Sequence, residues 1–253
     1  PYTTLFRSHG DGTAGTSSGN RSGQIDLIVE GSTTLTDGTS GGASIGHSTT
    51  TASGVFGSGL SLLTQTLDTA NSASGVTGMI ESIAPGGDVE IIVTGGNLDV
   101  TGAGAFYNGA GDVDLVATGS INMLSSIQNA GSGGINVIVG WDGATGLTQT
   151  TDFNTCPIIT DLSIDVDAIL TNDAQSGFGG LVEIGNGSQT GPLAVGSAGG
   201  KTRVAGAGVN LVASDSTAGG ITQIGFNEEY YRNASTGSNG VASTGDIEVI
   251  GKA

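Results

Sequence analysis

The chain has 253 residues, including 48 glycines and only 6 lysines and arginines, and its net charge is -17. This acidic balance argues against nucleic acid or an anionic membrane surface as a partner, because phosphate contacts need clustered Lys and Arg. Cys156 is the only cysteine, which excludes an intrachain disulfide framework, and no apolar run approaches the roughly 18 residues of a membrane-spanning helix. The glycines border short Val, Ile and Leu runs, a pattern typical of many short strands joined by tight turns.

The first eight residues read Pro-Tyr-Thr-Thr-Leu-Phe-Arg-Ser. They resemble the translation of a common sequencing-library adapter. We therefore expect residues 1–8 to be an artefact, outside the fold. Residues 9–253 are expected to form a single β-helix segment, a fragment that is open at both ends.

A strand phrase occurs twice in similar form, once at Gly87–Gly95 and again at Gly111–Gly119. Looser copies lie at Gln24–Gly31, Leu162–Ala168, Val204–Ala213 and Gly245–Gly251. A period of this length whose unit is a strand, a glycine turn and a second strand predicts an all-β solenoid. The spacing indicates coils of about 20–24 residues with loop excursions.

A second phrase, Gly-Gly followed by a short strand, interleaves with the first. Its copies start at Gly41, Gly133, Gly179 and Gly219. The last two starts suggest a higher-order unit of two coils that carries one longer loop. The stretch 141–161 matches neither phrase and is interpreted as an excursion loop.

Alternation within the strand phrase predicts one buried and one wet side. Val89 and Ile91 share one face, whereas Glu90 lies on the other, where Asp114 of the next copy should stack near it. Ile92 and the corresponding Val116 break this alternation. A covered outer face, a bend or a neighbour pressing on that side would each explain the break.

The strand phrases, together with Gln-Ile-Gly-like phrases at Gln223–Phe226 and Ala43–His47, resemble the repeats of filamentous haemagglutinin-like adhesins. These are large bacterial exoproteins of the two-partner secretion type. The resemblance covers residues 20–253 in patches. It implies a right-handed parallel β-helix, export through an outer-membrane transporter, a secreted or cell-surface location and a role in attachment. It transfers no catalytic residue.

Acidic residues suggest two kinds of site, each with a simpler explanation. Asp88, Asp112 and Asp246 precede equivalent strands and could align as Ca²⁺ ligands, but turn hydrogen bonding is the favoured interpretation. Asp165 and Asp167 are spaced to point the same way on a strand, as acids of a polysaccharide-cleaving enzyme would. A solvated strand face is favoured there.

The densest aromatic cluster of the chain supplies the candidate ligand-binding residues. These are Phe226, Tyr230, Tyr231 and Arg232. Exposed aromatic rings can stack on sugars or anchor a protein partner, although tyrosines packed against a coil edge are the favoured interpretation. His47 belongs to a position that accepts polar or aromatic groups, so we assign it no catalytic role.

The sequence therefore predicts a structural stalk or adhesive segment of a secreted or surface-exposed bacterial exoprotein. We expect no enzymatic activity, no cofactor and no metal site. The expected partners are host-cell or surface glycans or proteins, and an outer-membrane transporter during secretion. The alternatives are a β-helical polysaccharide lyase or hydrolase, and a phage tail spike or surface-layer component.

Overall fold

A computed structural model defines the fold. The residues that the structure describes are 5–8, 25–30, 65–68, 77–82, 88–100, 105–107, 109–152, 158–172, 179–189, 192–214, 220–228 and 243–251.

More than half of these residues lie in strands, and one six-residue helix is among them. The elements are β1 (Leu5–Ser8), β2 (Ile25–Glu30), β3 (Gln65–Asp68), β4 (Thr77–Ser82), β5 (Val89–Val93), β6 (Asn97–Val100), β7 (Ala105–Tyr107), β8 (Val113–Ala117), β9 (Ile121–Met123), β10 (Ile127–Asn129), β11 (Ile135–Val139), β12 (Leu147–Asp152), β13 (Ile158–Ile164), α1 (Val166–Thr171), β14 (Leu181–Ile184), β15 (Leu193–Ser197), β16 (Thr202–Gly206), β17 (Gly208–Leu211), β18 (Thr222–Ile224) and β19 (Ile247–Gly251). The predicted all-β class is confirmed.

The parallel strands are divided among three sheets. Sheet A contains β5, β8, β11, β16 and β19, sheet B contains β6, β9, β14 and β17, and sheet C contains β7, β10, β15 and β18. Within each of these sets, neighbouring strands pair in parallel. The chain visits A, B and C in that order four times before β19 returns it to sheet A.

Register aligns similar apolar residues between successive visits to a sheet. Ile91 of β5 lies opposite Leu115 of β8, which lies opposite Val137 of β11. All three are fully buried, in one core that the three sheets share. Burial of such a side chain contributes roughly 1.5–3 kcal/mol relative to leaving it in water.

Glycine is required where the chain enters sheet A, because the backbones of successive visits touch at that corner. A Cβ on Gly133 would collide with the carbonyl oxygen of Gly111, and one on Gly200 would collide with the Gly133 backbone. Gly245 meets Gly200 in the same way. This column of contacts explains a large part of the glycine signal at the strand phrases.

The amino-terminal strands depart from the predicted parallel arrangement. β4 pairs antiparallel with β5, β2 with β4 and β1 with β2, while β3 pairs antiparallel with β6. The phrase at Gln24–Gly31 does form a strand, but its expected parallel pairing is wrong. β1 lies within residues 1–8, which the sequence assigned to an artefact, and it forms the edge strand of this antiparallel region.

The second phrase does not correspond to one place in the fold. Its copies contribute β11 to sheet A, β14 to sheet B and β18 to sheet C, and the copy at Gly41 lies outside the described residues. The hypothesis of a two-coil unit is therefore wrong, because the distance from Gly179 to Gly219 joins two different sheets. The Gly-Gly pair followed by a short strand therefore marks the passage from a turn into a strand, in whichever sheet that strand lies.

Candidate functional site

A row of polar side chains crosses the outer face of sheet A. Glu90, Asp114, Asn136, Arg203 and Glu248 occupy the same register position on β5, β8, β11, β16 and β19. We call these five residues the polar row. At the same register, the antiparallel strands β4, β2 and β1 carry Glu81, Asp26 and Arg7.

An excursion between β11 and β14 covers much of this row. β12 and β13 pair antiparallel as a hairpin, and α1 follows directly. We call residues 141–152 and 158–172 the hairpin–helix cover. Its apolar side chains form a second core against the outer face of sheet A: Trp141, Ile164, Val166 and Ile169 pack with Ile92, Val116, Ile138 and Ala205.

The second core explains the broken alternation in the strand phrases. Ile92 and Val116 point outward but are fully buried beneath the cover. The predicted wet side of this strand is therefore wrong, and the covered outer face is confirmed. The predicted excursion at 141–161 is also confirmed, although it contains a strand pair that the sequence analysis did not identify.

Local hydrogen bonds explain how the cover starts. Asp142 accepts hydrogen bonds through Oδ1 from the backbone N–H groups of Ala144 and Thr145, at 2.9 and 2.7 Å. Desolvation is the largest single influence on the pKa of Asp142 and acts to raise it, but the hydrogen bonds from Thr145 and Ala144 together lower it. Trp141 Nε1 donates to the Thr145 carbonyl at 2.8 Å. The indole is thus oriented into the second core.

Asp165 and Asp167 lie at the start of α1 rather than on a strand, so their expected placement is wrong. Asp165 is the N-cap and accepts from the backbone N–H of Ala168 at 2.9 Å. Asp167 lies in the first turn and contacts Arg203 Nη1 at 2.9 Å. The two carboxylates therefore cap the helix and tie it to the polar row.

Two carboxyl groups of the polar row are buried side by side. Glu90 and Asp114 are only 4% and 5% exposed and lie opposite each other on adjacent strands. Glu90 Oε1 accepts from the backbone N–H of Ile164 at 2.8 Å, and Asp114 Oδ1 accepts from Asn136 Nδ2 at 2.6 Å. Both hydrogen bonds are buried.

Burial raises the pKa of Asp114 to about 8. The hydrogen bond from Asn136 acts in the opposite direction, and the neighbouring charges of Asp112, Glu90 and Asp88 raise the pKa further. Asp114 is therefore mostly protonated at neutral pH. A neutral acid beside Glu90 avoids two adjacent negative charges in a place that water does not reach.

Ion pairs occupy the more exposed end of the polar row. Arg203 Nε lies 3.6 Å from Glu248 Oε2, and Lys201 Nζ lies 3.8 Å from the same oxygen. The partners of Arg203 are exposed, because 76% of the Asp167 side chain and 47% of the Glu248 side chain remain in contact with solvent. Such pairs contribute little to stability.

Two of the acids for which calcium binding was the less favoured interpretation instead connect successive visits of the chain to sheet A. Asp88 Oδ1 accepts from the backbone N–H of Asp112 at 2.9 Å, and Asp112 Oδ1 accepts from Gly134 N–H at 2.6 Å. The favoured interpretation, hydrogen bonding within the same turn, is wrong for Asp88 and Asp112, because their partners lie on the next visit of the chain to sheet A. The part of the chain that the structure describes contains no group of three His, Cys, Asp or Glu residues arranged for a metal ion.

The predicted aromatic site is only partly described. Phe226 is 9% exposed, so its ring is largely withdrawn from solvent. The next residue, Asn227, donates its backbone N–H to the buried Gln128 Oε1 at 2.7 Å. Tyr230, Tyr231 and Arg232 lie outside the described residues, as do His47 and Cys156. A ligand-binding role for the two tyrosines and Arg232 stays a prediction.

The sequence analysis missed the polar row as a unit. A signal was present, because each of its members is the second residue of its parallel strand. Asn136 and Arg203 were not singled out, since their phrases do not begin with the Gly-Asp pair that marks β5 and β8. Aligning strand starts instead of glycine motifs would have brought them together.

The chain matches no protein-family model, no curated protein and no solved structure. The fold therefore defines only a class of protein, an all-β chain whose three main sheets are largely parallel, and not a family. Chemically, the polar row combines two buried acids, an amide, a guanidinium and one exposed acid, and the hairpin–helix cover separates the two buried acids from solvent.

Proposed function

We propose that the chain is a right-handed parallel β-helix, a segment of the structural stalk of a large secreted or surface-exposed bacterial exoprotein that mediates attachment. The observation that carries the proposal is the repeated passage through sheets A, B and C with parallel register. Each visit to a sheet pairs only with the visits before and after it. Such a stack extends in one direction and suits a spacer that holds a binding part away from a surface.

The spacing of successive visits supports coils of the expected length. Val89 pairs with Val113, and Val113 pairs with Ile135. The corresponding numbers differ by 24 and 22. The later coils carry excursions, one of which is the hairpin–helix cover between β11 and β14. This regular core with variable loops is the arrangement that the resemblance to adhesin repeats implies.

A non-enzymatic role is favoured over polysaccharide cleavage. The enzyme alternative needs acids and a basic residue converging in an open groove, and the polar row does bring Glu90, Asp114 and Arg203 together. The two acids, however, are buried under the hairpin–helix cover. A polymeric substrate would have to displace the cover and its apolar core before it reached them.

Attachment is proposed to involve the excursions rather than the sheets. Tyr230, Tyr231 and Arg232 are the candidate contacts to host-cell or surface glycans or proteins. The outer-membrane transporter and the cell-surface location follow from the resemblance alone. Among the described residues, no helix has the length and hydropathy needed to cross a membrane.

The proposal is tested by attachment of beads coated with the purified chain. We expect the beads to bind at least one member of a panel of animal cells and immobilised glycans, and the double variant Tyr230→Ala/Tyr231→Ala to lose that binding. A Tyr2→Ala variant, altered in the segment assigned to an artefact, is the matched control. Unchanged binding by the double variant removes the aromatic site, and no binding by any coated bead contradicts an adhesive role for this segment.

Two further measurements separate the stalk from the alternatives. Incubation with anionic polysaccharides should release no unsaturated or reducing-end products, whereas turnover would favour the enzyme. Light scattering should give a monomer, whereas a trimer would favour a tail spike. Circular dichroism dominated by helix would contradict the β-helix itself.

A further inference from the structure

The buried acid pair lies at the junction between two separate cores. The inner core fills the space between sheets A, B and C, and the second core lies between sheet A and the hairpin–helix cover. Glu90 contacts both parts, because its strand belongs to sheet A while Oε1 accepts from Ile164 N–H of the cover. Opening the cover would therefore expose the acids to water without disrupting the inner core.

The charged surroundings of the pair are mostly negative. Asp112 and Asp88 lie close enough to act on Asp114. From the cover, α1 contributes Asp165 at its N-cap and Asp167 in its first turn. The cations nearest in the row are Arg203, which contacts Asp167 and Glu248, and Lys201, which contacts Glu248. Both are thus engaged with other acids.

Two ionised carboxylates in this position would cost a large free energy, because both charges would be buried next to each other. They face each other across neighbouring parallel strands, which lie roughly 4.8 Å apart, and both are almost completely buried. Like charges in such a place force one group to keep its proton. In the open state, water would solvate both groups and the proton would be released to solvent.

We propose that the hairpin–helix cover is a pH-dependent lid: it closes over sheet A while Glu90 and Asp114 retain one proton between them, and its opening releases that proton. Because opening releases a proton, a lower proton concentration shifts the equilibrium toward the open state, and rising pH therefore favours opening. When the lid opens, the outer face of sheet A presents the polar row and the apolar side chains of the second core. The lid does not depend on the proposed stalk function, because it requires only sheet A, the Glu90–Asp114 pair and the hairpin–helix cover.

Hydrogen exchange measures the opening directly. After correction for the intrinsic exchange rate, protection of the amides in residues 163–171 should fall by up to about tenfold for each pH unit between about pH 5 and about pH 8, and then level off. Amides of Ile121–Met123 in sheet B should keep their protection, because the inner core remains intact. Acrylamide quenching of Trp141, the only tryptophan of the chain, should increase over the same range.

The variants Asp114→Asn and Asp99→Asn form a matched pair. Both acids accept a hydrogen bond from the Nδ2 of an asparagine on the next strand, but Asp99, on sheet B, is only half-buried. Asp114→Asn removes the releasable proton, so protection of residues 163–171 should become independent of pH. Asp99→Asn should keep the dependence of the unmodified chain.

Three outcomes would overturn the lid. The first is protection of residues 163–171 that does not change with pH in the unmodified chain. The second is an unchanged pH dependence in Asp114→Asn. The third is a parallel loss of protection in Ile121–Met123, which would show whole-chain unfolding instead. If Asp114→Asn does not fold, the comparison of the two amide groups in the unmodified chain decides.

Discussion

The outer faces of sheets A and B use similar residues to different effect. On sheet B, Asp99, Asn122, Glu183 and Asn210 form a register row, and an Asn–Asp hydrogen bond joins Asn122 to Asp99 just as Asn136 joins Asp114 on sheet A. The row on sheet B stays in contact with water, whereas the hairpin–helix cover buries its counterpart. The comparison shows that the cover, rather than the residue types, determines the chemistry of the acids.

The pH dependence of stability is the largest expected difference between the two faces. The folded chain holds the Asp114 proton up to about pH 8, whereas the unfolded chain loses it above the ordinary value of 3.8. The folded state therefore binds more protons in this interval, and the free energy of unfolding should fall as pH rises, by at most about 1.4 kcal/mol for each pH unit. Urea denaturation at several pH values measures it. A free energy of unfolding that falls with rising pH at least as steeply in Asp114→Asn as in the unmodified chain would contradict the assignment.

Removal of apolar volume should affect the covered face far more than the open one. Ile138 is fully buried in the second core, and Ile138→Ala should lower the free energy of unfolding by about 2–5 kcal/mol. Leu181 on sheet B is 49% exposed, and Leu181→Ala should change it by no more than about 0.5 kcal/mol. Chemical denaturation gives both values, and equal losses would show that the second core is not packed as described.

Removal of the asparagine that donates to each acid should lower the free energy of unfolding more for Asp114 than for Asp99. Asn136→Ala leaves the buried Asp114 without its hydrogen bond and should cost about 1–3 kcal/mol of stability. In Asn122→Ala, water can replace the lost partner of Asp99, so the cost should stay within about 1 kcal/mol. Thermal unfolding of the two variants side by side provides the measurement, and the reverse ranking would refute the difference in burial.

The smallest expected effect concerns the ion pair between the cover and the polar row. Asp167→Asn removes the contact with Arg203, but the Asp167 side chain is mostly exposed, so the cost should be about 0–1 kcal/mol and should shrink at high salt. Ser163→Ala, an exposed change on the same cover, serves as the control. A loss as large as that of Ile138→Ala would mean that the ion pair, not the second core, holds the cover.

Local pattern predicted a large part of the parallel region correctly. The strands β5, β8 and β19 lie within their phrases, Glu90 and Asp114 stack as the spacing required, and the interruption after β11 is an excursion. Periodicity sufficed there because side chains alternate strictly along a strand, and stacked strands repeat that alternation. It failed for β2, whose similar residues pair antiparallel, because pairing direction depends on the path of the connecting chain.

The sequence by itself determined the strand content, the acidic character and the repeated placement of glycine at sheet corners. All three follow from local properties: apolar alternation, charge and the conformational freedom of glycine. Only the tertiary structure decided that the outward-facing Glu90 and Asp114 are buried. The cover that buries them, which includes Trp141, Ile164 and Ile169, lies far from β5 along the chain, and no local pattern specifies which sheet face a distant hairpin and helix will cover.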